Sequence, residues 1–256
     1  MSVKLLHLNI WYGKYLDNII SFVLEHDFDI LNFQEVSGGK VSFNNANDFE
    51  RLKETLHFEG VMSVTWRYAT NLSCFTGNAT FFKKDFLLLD KTEIWLKPYT
   101  EFEKELADHE RDWREDPHSG LSLLLSHEGK QFRVINTHMA WGPEPNDEPY
   151  KLEQAKNLYE YMQKVRDPYI LTGDFNLKSD SQVITWFDSL GRNLIKENSI
   201  TNTLNPNIHK AAEKLFPPGL GVDYAYVSKD IKVKKCKVID DVILSDHLAL
   251  SVEFEI

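Results

Sequence analysis

The chain has 256 residues, a hydrophobic fraction of 42% and a formal net charge of −10. This length fits one large α/β domain, so residues 1–256 are predicted to fold as a single domain. The apolar runs stay well short of the ~18 residues that a membrane-spanning helix needs. The acidic balance argues against a protein that coats nucleic acid through a basic face, but it is compatible with an enzyme that handles a phosphate locally.

The N-terminal segment and the cysteines bear on the cellular compartment. Residues 1–7 lack the long apolar stretch and the small-residue cleavage site of a secretory signal peptide, which predicts a cytoplasmic protein. The two cysteines, Cys74 and Cys236, could form a disulfide bond. Without a secretory signal, two reduced and buried thiols are the expectation.

The beginning of the chain predicts a parallel crossover unit. Residues 3–10 are mostly apolar and predict a buried strand, and apolar residues at helical spacing over 16–23 predict a helix. A second buried strand over 28–33 is expected to end at Gln34 and Glu35. A strand, a helix and a strand within so few residues favour two parallel strands. The next two elements are predicted to be a loop and a short helix, over residues 38–47 and 48–56.

The remainder of the chain reads mainly as strands. These strands are predicted over residues 61–68, 79–83, 86–95, 121–126, 132–138, 169–172, 222–227, 233–239 and 248–256. Further helices are predicted over residues 150–165 and 181–189. An early crossover unit followed by consecutive strands suggests two mixed sheets with helices outside.

Two longer segments are predicted to lack regular structure. Lys97–Gly120 is dense in charged residues between Glu101 and Asp116, and a solvated loop or a short surface helix is the first interpretation. A lid near a functional site is the alternative. Residues 198–221 are predicted to form a loop.

Polar side chains occur where the predicted strands end or begin, which is where α/β proteins build their sites. Each of them alone has an ordinary structural explanation, as a turn residue, a cap or a buried structural histidine. A hydrophobic strand that ends in an acid nevertheless offers a rigid carboxylate to a hard cation such as Mg²⁺. The residues concerned are Asn9, Glu35, His138, Asp174, Asn176, Asp223, Asp246 and His247.

The ordered set of short motifs resembles the endonuclease/exonuclease/phosphatase superfamily, which has the fold of pancreatic deoxyribonuclease. The resemblance covers essentially the whole chain and implies a four-layer α/β/β/α sandwich, in which two mixed β-sheets pack face to face with helices outside. The matching segments are Leu8–Trp11, Phe33–Val36, Gly77–Ala79, Asn136–His138, Gly173–Asn176, Val222–Tyr224 and Ser245–His247.

The resemblance also implies a role for each residue at the site. Glu35 resembles the main metal-binding carboxylate, with Asn9 beside the same ion and Asp246 helping to bind the metal or to fix the site. The implied cofactor is Mg²⁺ or Mn²⁺. Such ions suit carboxylate and amide oxygens.

The implied catalytic residues act on water and on the phosphate. Asp174 resembles the residue that orients or deprotonates the attacking water, and Asn176 would assist it. His247 would stabilise charge on the phosphate, held by Asp223, which favours the protonated ring. His138 would bind phosphate or protonate the leaving oxygen.

Three functions are compatible with this interpretation. The first is a metal-dependent phosphodiesterase, with nucleic acid slightly favoured as the substrate, in a protein predicted to be monomeric. The second is a phosphomonoesterase or a phosphoesterase for a lipid headgroup such as an inositol phosphate or sphingomyelin. The third is a non-enzymatic binding module. His138 favours the deoxyribonuclease, deadenylase, sphingomyelinase and phosphatase branches, because the exonuclease III-type repair enzymes carry tyrosine at this place.

Overall fold

The structure is a computed structural model that describes residues 2–103, 112–209 and 219–256. The strands in these ranges are, in chain order, β1 (Val3–Asn9), β2 (Ile30–Gly38), β3 (Glu59–Tyr68), β4 (Asn71–Phe82), β5 (Leu87–Lys97), β6 (Thr100–Phe102), β7 (His118–His127), β8 (Lys130–His138), β9 (Tyr169–Asp174), β10 (Arg192–Asn193), β11 (Asp223–Val227), β12 (Lys232–Ile239) and β13 (Ala249–Glu255). The helices are α1 (Leu16–His26), α2 (Asp48–Leu56), α3 (Pro149–Met162), α4 (Gln182–Asp188) and α5 (Leu194–Glu197).

The strands form two mixed sheets. The first has the order β12–β13–β1–β2–β4–β3–β6, and the second has the order β10–β11–β9–β8–β7–β5. Helices α1 and α2 pack on the outer face of the first sheet, and α3 and α4 pack on the outer face of the second. A third apolar core lies between the two sheets. The predicted four-layer α/β/β/α sandwich is therefore confirmed.

The predicted crossover unit is present. Strand β1 runs parallel to β2 and antiparallel to β13, so both ends of the chain meet in the first sheet. Helix α1 buries Leu16, Ile19 and Val23 against the sheet, and Asp17 in its first turn complements the helix dipole. The helix ends at His26, and the next residue, Asp27, adopts a left-handed conformation with φ of 50°.

The face between the sheets changes character along each strand. On β1 the apolar Leu5 belongs to the core between the two sheets, whereas His7 and Asn9 make polar contacts with the second sheet. On β2 the apolar Ile30 is followed at the same spacing by Asn32, which donates to Thr172 of β9. Alternate residues of a strand share one face. The sandwich is therefore apolar at one end and polar at the other, where the predicted site residues lie.

Strand β2 differs from its prediction in a way that matters for the site. It was expected to end at Gln34 and Glu35, but it continues to Gly38. Its pairing with β4 is interrupted between Phe33 and Val36, and Glu35 has a φ of 57°. A bulge of this kind inserts an extra residue and re-aims its side chain. Glu35 thus lies within a strand, at a bulge, and not in a terminal turn.

Other boundaries differ because pairing with neighbours extends strands into polar sequence. Strand β4 begins at Asn71 and not near residue 79, and the short elements β6, β10 and α5 were not predicted. Within Lys97–Gly120, β5 reaches Lys97 and β7 already begins at His118. Residues 104–111, which hold most of the charged core, lie outside the described residues, as do residues 210–218 of the predicted loop 198–221.

Two further observations concern the cysteines and the membrane. Cys74 and Cys236 are both buried and unpaired, as expected. Within the described ranges, every helix is too short or too polar to cross a bilayer.

Candidate active site

A cavity of about 480 Å³ opens at the polar end of the sandwich. Seven of the eight predicted site residues line it, namely Asn9, Glu35, His138, Asp174, Asn176, Asp246 and His247. The eighth, Asp223, is fully buried directly behind His247. The topology explains the convergence, because parallel strands end at this edge while the antiparallel β11 and the segment before β13 begin there.

Asn9 joins the two sheets at the floor of the cavity. Its Nδ2 donates to Glu35 Oε1 at 3.1 Å and to Asp174 Oδ2 at 3.2 Å. Its Oδ1 accepts a hydrogen bond from the backbone N–H of Trp11 at 3.1 Å, which fixes the orientation of the amide. Asn9 therefore lies beside the predicted metal site and holds two carboxylates in register.

Asp174 is the centre of the arrangement. Its Oδ1 accepts from the backbone N–H of Asn176 at 2.9 Å, and its Oδ2 lies 3.5 Å from His138 Nε2 and 3.7 Å from His247 Nε2. The adjacent Gly173 allows β9 to lie close to β8, because a Cβ at this position would stand 2.5 Å from the carbonyl oxygen of Thr137 on β8. A buried carboxylate with one oxygen anchored and one facing two histidines is suited to handling a water proton.

Asn176 adopts a left-handed conformation with φ of 52°. Its Nδ2 donates to the carbonyl oxygen of Met139 at 3.0 Å, which ties the turn after β9 to the segment after β8. Asparagine tolerates this backbone conformation better than most residues. The turn Asp174–Asn176 is thus fixed from both ends.

Asp223 and His247 form a buried pair. His247 Nδ1 donates to Asp223 Oδ2 at 2.9 Å, so its Nε2 faces the cavity. Burial opposes charge on the ring, but the carboxylates of Asp223 and Asp174 hold the pKa of His247 well above its usual range. The same pairing overcomes the effect of burial on Asp223 and lowers the pKa of its carboxyl group. His247 therefore presents a cationic N–H to the cavity.

His138 differs from His247 in its protonation. Burial lowers its pKa, and the nearby positive charge of His247 adds to the effect, while Asp174 opposes it. Its ring packs edge-to-face against the ring of His118, with centroids 5.3 Å apart. The site thus offers one charged and one predominantly neutral histidine on either side of Asp174, which suits proton transfer in both directions.

The charge balance around Glu35 favours a cation. Burial raises the pKa of Glu35 to about 8, and the negative charges of Asp246 and Asp174 add to the effect. Asp246 is half-buried and accepts a hydrogen bond from the Ser245 hydroxyl at 3.1 Å. Converging carboxylate oxygens that repel one another fit a hard divalent cation, whose charge would relieve the repulsion.

A second group of potential ligands overlaps with this one. Ligand atoms of Asp174, Asp223 and His247 lie within 4.8 Å of one another. Both oxygens of Asp223 already accept hydrogen bonds, from His7 and from His247. This group is therefore better described as a set of hydrogen-bonded side chains than as a metal-binding site. The oxygens of the predicted ligands around Glu35 are more available to a cation.

Several residues at the site were not singled out as functional from the sequence. Behind the floor lie His7, Gln34 and Asn136, which connect the two sheets. His209 packs edge-on against His247, with ring centroids 5.9 Å apart. A polar residue at an inward-facing position of an apolar strand, as with His7, is the signal that could have revealed the first group.

Aromatic side chains form much of the cavity wall. Trp11, Trp66, Trp113 and Trp141 all line it. Trp113 and Trp141 are 37% and 49% exposed and contact each other edge-on at 5.6 Å. Among the described lining residues, the basic side chains are histidines, with no lysine or arginine. A ring-bearing group of a substrate can therefore pack against this wall. A long polyanion would meet few positively charged side chains among the described lining residues.

The chain is similar in sequence and in fold to known proteins. Residues 6–247 match the Endonuclease/Exonuclease/phosphatase family. The Ccr4 exoribonuclease subunit of the CCR4-Not complex from Neosartorya fischeri is 29% identical over 167 residues, which is 59% of this chain and 21% of that protein. The chain thus spans about a fifth of the length of that curated relative.

Solved structures show the same fold over the full length. The endonuclease/exonuclease/phosphatase protein of Bacteroides vulgatus has a TM-score of 0.75 at 18% identity, covering 100% of this chain and 99% of that one. The mannosyl-6-phosphatase of Bacteroides thetaiotaomicron has a TM-score of 0.70 at 20% identity, covering 99% and 100%. The chain therefore belongs to the Endonuclease/Exonuclease/phosphatase family and is a phosphoester hydrolase.

Proposed function

We propose that the protein is a Mg²⁺- or Mn²⁺-dependent phosphodiesterase in which water attacks the phosphorus in line with the departing oxygen. The observation that carries the proposal is the position of Asp174. Its Oδ2 faces Asn9 Nδ2 at 3.2 Å, His138 Nε2 at 3.5 Å and His247 Nε2 at 3.7 Å, in one cavity. Phosphoryl transfer depends mainly on such positioning and on charge neutralisation.

The ion would be held by Glu35 and Asp246, with Asn9 beside it to orient Glu35. The donor set fits, because hard cations prefer oxygen ligands and keep several sites for water and substrate phosphate. When bound, the ion supplies charge neutralisation at the phosphate. The raised pKa of Glu35 supports this assignment.

The chain's own residues supply the remaining chemistry. Asp174 Oδ2 accepts a proton from the attacking water while its Oδ1 stays anchored on the backbone of Asn176. The protonated Nε2 of His247 donates to a phosphate oxygen and stabilises the charge that develops in the transition state. His138 Nε2 contacts the phosphate or, in its protonated fraction, passes a proton to the departing oxygen.

Nucleic acid is the favoured substrate in this proposal. The curated relative from N. fischeri is an exoribonuclease subunit. The exposed rings of Trp113 and Trp141 at the cavity could stack on a base, a contact that every base can make. The scarcity of cations in the described lining favours the end of a single strand over a duplex.

Phosphomonoester or lipid-headgroup hydrolysis is the second candidate. The same features support it, because a cavity of about 480 Å³ with aromatic walls and few cations suits one compact phosphorylated group. The B. thetaiotaomicron protein with this fold is a mannosyl-6-phosphatase. The two candidates differ in whether the phosphorus carries one ester bond or two.

A substrate panel tests the proposal. Purified protein with Mg²⁺ or Mn²⁺ is assayed on bis(p-nitrophenyl) phosphate, single-stranded RNA and DNA, sugar phosphates, inositol phosphates and sphingomyelin. We expect hydrolysis of the diesters, abolished by Asp174→Ala and His247→Ala. Asp180→Asn, an exposed acid on the loop after β9, serves as the control and keeps full activity. Turnover of monoesters alone would select the second candidate, and full activity in both alanine variants would refute the assignment of the site.

The predictions of a single domain over residues 1–256, of a monomer and of a cytoplasmic location are retained in this proposal. The match over residues 6–247 supports the first. The two buried, unpaired cysteines suit a reducing compartment and support the last. Light scattering of the purified protein tests the monomer.

A further inference from the structure

His7 is a fully buried ionisable side chain in the centre of β1, where its neighbours Leu6 and Leu8 belong to the apolar core. It lies behind Asp223 and has no access to the cavity. We propose that His7 is a positioning residue that fixes the Asp223–His247 pair, and that its own orientation is dictated by a relay of two side-chain amides, Asn136 of β8 and Gln34 of β2. This inference rests on the proposed role of His247 at the phosphate.

The relay begins at two backbone carbonyl groups. Asn136 Nδ2 donates to the carbonyl oxygens of Phe33 at 3.0 Å and Ala79 at 2.8 Å. A side-chain amide has two N–H donors, so both are used. The Oδ1 of Asn136 must therefore face the other way, where it can only accept a hydrogen bond.

Gln34 transmits this orientation to His7. Its Nε2 donates to Asn136 Oδ1 at 2.5 Å and lies 3.3 Å from His7 Nδ1. Its Oε1 accepts no hydrogen bond from any residue in the described ranges, so the contacts of Nε2 are the ones that orient the amide. Because a donor faces His7 Nδ1, this ring nitrogen must be the acceptor, and the ring proton is placed on Nε2.

The proton on Nε2 reaches Asp223. His7 Nε2 donates to Asp223 Oδ1 at 2.9 Å, while the other oxygen accepts from His247 Nδ1 at the same distance. The backbone N–H of Asp223 donates to Thr203 Oγ1 at 3.1 Å. The carboxylate is thus prevented from rotating, and the Nε2 of His247 stays aimed at the cavity.

A histidine that donates through Nε2 suits this position for a physical reason. It satisfies the second oxygen of a buried carboxylate, which would otherwise be left without a partner. A lysine or arginine here would compete with His247 for that carboxylate.

Three substitutions at one position test the proposal. The amide of glutamine reaches the place of Nε2, whereas the amide of asparagine reaches only the place of Nδ1. We expect His7→Gln to retain most of kcat on bis(p-nitrophenyl) phosphate. We expect His7→Asn and His7→Leu to lose roughly ten- to a hundred-fold in kcat, with KM changed little, as for other residues that orient a site from behind. His127→Gln is the matched control, since His127 stacks on Phe86 away from the cavity.

The ring proton is measured independently of activity. Long-range ¹H–¹⁵N spectra of the wild-type protein labelled at histidine should show His7 with its proton on Nε2 and a bare Nδ1. In Gln34→Leu, the restriction on Nδ1 is lost and the signal pattern should change. A proton on Nδ1 in the wild-type protein would overturn the relay even if the enzyme is active.

The outcomes are separable. Wild-type kcat in folded His7→Asn, or equal losses in His7→Asn and His7→Gln at equal thermal stability, would overturn the positioning role. If His7→Leu does not fold, the asparagine and glutamine pair and the spectra still decide the matter. If the wild-type protein hydrolyses no phosphoester in the panel, the proposed function fails, while the spectra still report on the relay.

Discussion

The ammonium group of Lys151 lies 3.1 Å from the carbonyl oxygen of Asn176, beneath the floor of the cavity. Lys151 is buried in the first turn of α3, and its Nζ also donates to the carbonyl oxygen of Glu144 at 2.9 Å. A cation in the first turn of a helix opposes the helix dipole. Its position is explained by the support that it gives to the turn Asp174–Asn176.

Replacing Lys151 by methionine should therefore weaken both the turn and the fold. The buried carbonyl oxygen of Asn176 loses its donor, which costs about 1–3 kcal/mol when it is left unsatisfied, whereas water can reach the carbonyl of the exposed Glu144. We expect a lower free energy of unfolding in chemical denaturation and a fall in kcat of roughly ten-fold. Lys156→Met, an exposed lysine further along the same helix, is the control. Equal behaviour of the two variants would show that Lys151 does not support the site.

The raised pKa of Glu35 predicts how stability depends on pH without metal. The pKa is about 8 in the folded protein and near 4.5 in the unfolded chain, so the folded state binds the extra proton between these values. Stability should then fall as pH rises from about 4.5 to 8. Glu35→Gln removes this loss, and in EDTA it should be more stable than wild type at pH 8, by on the order of 4 kcal/mol for a shift of this size, but not at pH 4.5.

Added metal provides the complementary measurement. At pH 8, Mg²⁺ or Mn²⁺ should raise the Tm of the wild-type protein, because an ion that binds only the folded state stabilises it. Glu35→Gln should respond much less, whereas Glu25→Gln, an exposed acid on α1, should respond as wild type does. An equal rise in Tm for all three proteins would place the ion elsewhere.

Asp223→Asn tests the charge on His247. Asparagine keeps the shape of the side chain but removes the charge that raises the pKa of His247. We expect kcat to fall by roughly 100-fold or more, since an amide at such a position can also impose the wrong tautomer. The alkaline limb of the pH–rate profile should move to lower pH, because His247 would lose its proton earlier. An unchanged profile in the folded variant would contradict the pairing.

Trp141→Ala tests the aromatic wall. If the ring packs on a base of the substrate, its removal should raise KM for a short oligonucleotide by roughly 5- to 160-fold, which corresponds to about 1–3 kcal/mol of stacking per base. The value of kcat should change little, because Trp141 lies at the mouth of the cavity and is 49% exposed. The KM of Trp141→Phe should lie between those of the wild-type protein and Trp141→Ala. An unchanged KM in Trp141→Ala would show that the substrate does not reach this wall.

The sequence by itself determined the fold class and the residues that meet at the cavity. Asn9, Asp174 and His247 stand beside apolar strands, and strand ends at one sheet edge must converge. The short ordered motifs were specific enough to indicate the family, which the match over residues 6–247 confirmed. The alternation of apolar and polar residues along the chain indicates the strands. The order of the short motifs along the chain indicates the family.

Only the tertiary structure decided how those residues are aimed. Glu35 reaches the cavity from a bulge inside β2, and a bulge depends on the pairing partner, not on the sequence of the strand. His7 looked like an ordinary member of an apolar strand, and it contacts Asp223 more than 200 residues away because two sheets pack face to face. Hydrogen bonds between distant strands set the orientation and protonation of the site, and no local pattern in the chain records them.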